Sequence, residues 1–158
     1  MVHPMRYSSA RSRCNLLITI VGLIGMIGCG EPTAPGAELA RARERWVRTA
    51  PAAYRLTIQQ ACFCDLVHGP VEVVVRDGVV QSRRDVATDR LLDAQMADAY
   101  PAVEGLFELI DRAITQGAVR VEVTFDPVRG YPRQIILDHR ADMADDEVVV
   151  TVSEFGAL

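Results

Sequence analysis

The stretch "QQACFCDL", Gln59 to Leu66, holds two thiols separated by one phenylalanine, Cys62 and Cys64. Cysteines so placed can bridge, stay as buried thiols, ligate a metal or exchange disulfides. A zinc site needs four ligands, and Cys62 and Cys64 with His68 or Asp65 make an incomplete set. Thioredoxin-type centres space their cysteines as CxxC at a helix start, which this segment does not do. A second cluster, "LDHRADMADDE", gathers Asp138, Asp142, Asp145, Asp146 and Glu147. These carboxylates are candidate Ca²⁺ ligands, but the alternating acids and central glycine of an EF-hand loop are missing. A polar turn accounts for the same run. Elsewhere the inventory is thin. The chain has no lysine, which excludes Schiff-base and P-loop chemistry. Beyond residue 28 its only serines are Ser82 and Ser153, and its only histidines are His68 and His139. No nucleophile–base set is legible in what remains. The expectation is a non-enzymatic protein with no cofactor and no catalytic residue.

Compartment decides among the thiol readings. Arg6, Arg11 and Arg13 occur near the start without an acid, followed by the apolar run "LLITIVGLIGMIG" from Leu16 to Gly28 and then by Cys29. A basic start, a short apolar run and a small residue before the cut describe an export signal. The run falls short of the roughly 20 residues a spanning helix needs. Its end, "MIGC", resembles the lipobox of bacterial lipoproteins, in which the cysteine is diacylated and becomes the new N-terminus; Met26 stands where leucine is usual. The resemblance implies a lipoprotein signal peptide over residues 1–28 and a lipidated Cys29. Residues 29–37 follow as a flexible tether, because "GEPTAPGA" is rich in Pro, Gly and small residues without apolar periodicity. The expected location is the bacterial cell envelope, lipid-anchored to a membrane, with the domain facing the periplasm or the exterior.

With Cys14 in the signal and Cys29 lipidated, Cys62 and Cys64 are the thiols left to an oxidising compartment, which makes them a disulfide candidate. Same-face neighbours on a strand stand about 6.6 Å apart, whereas a bridge wants Cβ atoms about 3.8 Å apart, so bridging requires the strand to end or bulge near Phe63. A bridge is the expectation, and thiol–disulfide exchange by the same pair is the alternative. Without the signal the chain keeps 14 arginines against 21 acids, a net charge of −7. That balance argues against nucleic acid. The expected partners are the membrane, through the lipid, and an envelope protein.

The elements that must position these residues occupy a single domain over residues 38–158. "AELARARERWVRT" places Leu39, Ala42, Trp46 and Val47 on one side at helical spacing, predicting a helix over 37–49. Its arginines, Arg41, Arg43, Arg45 and Arg48, read as a solvated face paired with Glu38 and Glu44, or as a basic face toward anionic lipid. "AYRLTIQQACFC" alternates Tyr54, Leu56, Ile58, Cys62 and Cys64 against Arg55, Thr57 and Gln59. Two more strands flank Asp77-Gly78, the dipeptide of a two-residue type I′ hairpin. Residues 86–100 predict a loop with a short helical turn. A helix follows, with Pro101 in its first turn, Gly117 at its stop and an apolar stripe of Val103, Leu106, Phe107, Ile110 and Ile114. Three further strands, "VRVEVTF", "RQIILDH" and "EVVVTVSEF", complete the set. The predicted class is α+β: an antiparallel sheet of about six strands, built as two three-stranded meanders, with a helix packed on one face and an N-terminal helix.

Trp46, Tyr54, Cys62, Phe63, Cys64, Leu106, Phe107, Gly130, Tyr131, Pro132, Asp138, Asp145, Asp146 and Glu147 together resemble the pattern of a bacterial family, the domain of unknown function numbered six-one-seven-four. Its members look like lipoproteins with an aromatic helix, a Tyr-led strand ending in "CFC", a Leu-Phe helix, a "GYP" turn and a "DDE" near the end. The resemblance spans roughly residues 40–155 and implies a location but no activity. The functional expectation is a membrane-tethered envelope lipoprotein acting as a binding or structural module.

Overall fold

A computed structural model of the full chain describes residues 35–62, 69–140, 142 and 146–158. The signal, Cys29, most of the tether, Phe63, Cys64 and Asp145 lie outside the described residues. Helix α1, Pro35–Thr49, starts two residues earlier than its apolar spacing predicts. Residues 35–37, expected in the tether, are therefore helical. Proline suits a first helical turn because the N–H it lacks would have no intrahelical acceptor there. Glu38 in the first turn and Arg48 in the last also complement the helix dipole.

Six strands follow as β1 (Ala53–Ala61), β2 (Val71–Arg76), β3 (Val79–Asp85), β4 (Arg120–Phe125), β5 (Pro132–Asp138) and β6 (Val148–Ala157). Between β3 and β4 come a 3₁₀ turn, Ala94–Ala99, and helix α2, Val103–Thr115. All the strands pair antiparallel in one sheet of order β3-β2-β1-β6-β5-β4. The two expected meanders thus join through the first strand and the last. The β2–β3 turn has positive φ at both Asp77 (48°) and Gly78 (74°), the type I′ signature. Helix α2 ends at Thr115, and Gly117, just past its C-cap, has a φ of 74°. Pro101 precedes the N-cap, Ala102, and so stands one step outside the turn expected to hold it.

Period-2 alternation sends Tyr54, Leu56, Ile58, Val71, Val73, Val75, Ile135, Leu137, Val150 and Val152 to one face, and all are buried. Against them pack Leu39, Ala42 and Trp46 of α1 and Val103, Leu106, Phe107, Ile110 and Ala113 of α2. Each fully buried large apolar side chain contributes about 1.5–3 kcal/mol, more than a helix of this length can supply by itself. Val47 lies about 100° around α1 from Trp46. It is 75 % exposed rather than part of the buried side. Val119 precedes β4 and is exposed too. The opposite face of the sheet carries Arg55, Gln59, Thr124, Gln134 and Thr151, all exposed.

Three β-bulges break the alternation. Val74 faces Ser82 while Val75 faces Val80, so β3 holds an extra residue. Thr124 faces Gln134 while Phe125 faces Pro132, which puts the extra residue on β5. Arg55 faces Gly156 while Thr57 faces Ser153, and Glu154 within that interval has a φ of +50°. An added residue flips the face of everything beyond it. The bulge in β6 therefore carries Phe155 to the helix-covered side, where strict alternation from Val152 would leave it outside.

Candidate functional site

The sheet brings four of the sequence-predicted site residues, Cys62, Asp138, Asp146 and Glu147, to one end. Ala61 faces Val149, Leu137 faces Val148 and Arg120 faces Asp138. The end of β1 with Cys62, the end of β5 with Asp138 and the start of β6 behind Asp146 and Glu147 are therefore neighbours. Cys62 is half-buried in a bend just past the last residue of β1. Arg120 organises the acids. Its Nε donates to Glu122 Oε1 at 2.8 Å and its Nη1 to Glu147 Oε2 at 3.1 Å. The bond to Glu122, then that carboxylate's charge, raises the Arg120 pKa, and the same contact lowers that of Glu122.

The other acids have local roles. Asp138 Oδ1 accepts the Arg140 N–H at 3.1 Å, and Asp142 lies 3.6 Å from the Arg140 guanidinium. Both carboxylate oxygens of Asp146 are buried without a hydrogen-bond partner among the described residues. Among the described residues no three His, Cys, Asp or Glu side chains gather as metal ligands. Of these acids, Glu147 pairs with Arg120 and Asp142 with Arg140.

A second assembly lies under the helices and was not legible as a site. Trp46 Nε1 donates to Glu104 Oε1 at 2.8 Å, and Tyr54 O–H donates to Glu104 Oε2 at 3.3 Å. The Val103 N–H in turn donates to the Tyr54 oxygen at 3.2 Å. Around this hub Trp46 meets Tyr54 edge-on at 5.3 Å, and Phe155 stacks on both Tyr131 (4.5 Å) and Tyr54 (5.4 Å). Arg129 covers the Phe155 ring and donates to Thr49 O at 2.8 Å, tying the β4–β5 turn to the end of α1. Burial above all, then the Glu104 charge, pushes the Tyr54 phenol far above its ordinary range, so it stays protonated. Its oxygen links β1 to the start of α2 through Glu104 and the Val103 N–H. Glu104, Arg129 and Phe155 carried no sequence signal beyond an acid in the first turn of α2 and an aromatic on a strand.

On α1, Arg43 reaches Asp111 of α2 at 2.5 Å and lies over the Phe107 ring. The expected pairing of the α1 arginines with Glu38 and Glu44 does not occur among the described residues. Residues 38–157 match the family of unknown function DUF6174. The chain belongs to that family. The match runs from the first turn of α1 to the last residue of β6 and so takes in every strand and both helices, apart from the first three residues of α1. No curated protein and no solved structure matches the chain. Of the motif residues, Trp46, Tyr54 and Tyr131 build the aromatic assembly, Gly130 lies against α1, Leu106, Phe107 and Pro132 are buried, and Cys62, Asp138, Asp146 and Glu147 belong to one sheet end.

Proposed function

We propose that this DUF6174 member is a membrane-tethered envelope lipoprotein whose domain binds another envelope component and performs no chemistry of its own. The observation that carries the reading is the order of segments in the sequence. A basic start and a short apolar run end in "MIGC", and only a few residues separate Cys29 from the first turn of α1. The functional groups that do converge support it, because Tyr54, Glu104, Arg120 and Glu147 are all engaged in bonds that hold elements together. The binding surface in this reading is the uncovered sheet face. There Thr124, Arg133, Gln134, Thr151 and Ser153 line a shallow depression of about 690 Å³. Fractionation of cells making the full chain tests the anchor. The wild type is expected in membranes with an acylated Cys29, and Cys29→Ala is expected to be released or left unprocessed. Unchanged membrane association with the signal still removed would rule the lipid out.

Within this reading Cys62 pairs with Cys64 and pins the turn after β1. One observation supports the pairing: β1 ends at Ala61. The extended spacing that opposes an i,i+2 bridge therefore stops before the first cysteine. The alternative, thiol–disulfide exchange, needs a reachable sulfur, and the half-burial of Cys62 favours it. Trypsin releases Leu56–Arg76 as one peptide holding both cysteines. Unreduced, it is expected to weigh two hydrogens less than its reduced form and to resist alkylation. Free alkylation of both sulfurs in natively exported protein would defeat the pairing. Equilibration with glutathione separates the roles, since a potential below about −300 mV marks a structural bridge and one near −200 mV an exchanging pair.

A further inference from the structure

We propose that the exposed side of α1 is a docking face for anionic lipid headgroups, with Arg41 and Arg48 as its contacts and Val47 entering the headgroup layer beside them. The proposal rests on the lipid anchor proposed above and specifies how the anchored domain lies. Ala37, Arg41, Glu44 and Arg48 recur at helical spacing, and all four are exposed. They run opposite the buried Leu39, Ala42 and Trp46. Arg41 and Arg48 have no ion pair among the described residues, whereas Arg43, facing α2, is held by Asp111. Arg45 flanks the stripe half-buried, its Nε shielded and without a hydrogen-bond partner among the described residues. Glu44 interrupts the stripe but engages neither neighbour. Val47, at 75 % exposure, is the most exposed large apolar side chain among the described residues. The apolar face of α1 is already buried in the core, so what this side offers a surface is the charge of its unpaired arginines, with one uncovered valine beside them.

Charge points the same way. Residues 35–49 hold four arginines against two glutamates, while residues 50–158 hold ten arginines against eighteen acids. An anionic surface repels most of this molecule and attracts α1. Chain length then brings the two together. Six residues lead from Cys29 to Pro35, a reach of at most about 20 Å. Arg41 and Arg48 lie about 10 Å apart along the axis, so a helix lying flat on the surface presents both. Attraction acts within a Debye length of about 10 Å and is worth roughly fivefold in affinity per arginine at the surface.

The test uses the full-length lipidated protein on vesicles of phosphatidylcholine alone or with about one-third phosphatidylglycerol. Flotation on the neutral vesicles reads the anchor. Phenylglyoxal modification, followed by peptide mass spectrometry, reads each arginine, with exposed Arg76 and Arg133 as internal references. On anionic vesicles at low salt, Arg41 and Arg48 are expected to react about fivefold more slowly than on neutral ones, and high salt is expected to abolish the difference. The references are expected not to change. Flotation on both vesicles with equal reactivity of Arg41 and Arg48 would overturn the face and leave the anchor standing. Flotation on anionic vesicles alone, with protection, would support the face and defeat the anchor. Flotation on neither would defeat both. Protection that is equal on both vesicles and grows with protein concentration would place a second copy on the face and overturn the proposal.

Discussion

Glu104 of α2 is joined to α1 and β1 through two side chains, the Trp46 indole N–H and the Tyr54 O–H. Nothing local marks it for that role. The partners are 58 and 50 residues away, and the sequence shows only an acid in a helix's first turn. Tyr54 and Trp46 were legible as inward-facing, because period alone assigns a face, but period cannot say what a polar tip will meet. The phenol also gives a signed prediction. Its folded pKa lies above the ordinary 10.0, through burial first and the Glu104 charge after it. Above pH 10 the unfolded chain releases this proton and the folded chain keeps it, so stability is intact below pH 10 and falls above it. The slope reaches about 1.4 kcal/mol per pH unit. Tyr54→Phe removes that slope and costs about 1–2 kcal/mol at neutral pH through lost hydrogen bonds. Denaturant titrations between pH 7 and 11 are expected to show wild type and variant converging as pH rises. A constant gap would mean that the phenol ionises as readily folded as unfolded.

Elements are where sequence periodicity was most informative and where its failures have named causes. The helix and strand patterns located both helices and all six strands, because one buried face per element leaves a strong imprint. The bulges left none. Each changes the facing of a few residues, and Phe155 lies on the helix side only because β6 holds an extra residue at Glu154. The "GYP" turn was legible as a turn, but its contact with α1 was not. Gly130 has a φ of +84°, and a Cβ there would lie 2.2 Å from Ala42 O and 2.9 Å from Arg45 Cβ. Gly78 has a similar φ of +74° with nothing within 4 Å. Alanine at Gly78 is expected to cost only the left-handed backbone penalty, about 1–2 kcal/mol. Alanine at Gly130 adds overpacking against backbone, a further ~1–3 kcal/mol, and pushes α1 off the sheet. Paired thermal melts check the difference. Equal losses would mean that α1 does not rest on this turn.

At the scale of the whole molecule, the consequential pairing is β1 with β6, which joins strands from opposite ends of the domain. No turn signal announces it, since residues 53–61 meet residues 148–157 with the rest of the fold between them. What selects it is the match of faces, with Ile58 opposite Val152 and both buried in the common core. Each meander alone would leave an unpaired inner edge and half a core, and so small a sheet is marginal in water. Trp46 adds a second link, touching Tyr54 of the first half and Tyr131 and Phe155 of the second. The domain should therefore fold as one unit rather than as two halves. Deleting residues 148–158 removes β6 and Phe155 together and strips a partner strand from both β1 and β5. The truncated chain is expected to lose its cooperative melt, although β1–β3 and β4–β5 keep all their own residues. Trp46, the chain's one tryptophan, reports this directly. Its emission in the intact domain is expected to be that of a buried indole, shifting to the red in a single transition with denaturant. In the truncated chain red-shifted emission is expected before any denaturant is added. A truncated chain that kept blue emission and a sharp transition would show that α1 and the first meander form a stable unit by themselves, and that β6 only attaches the second.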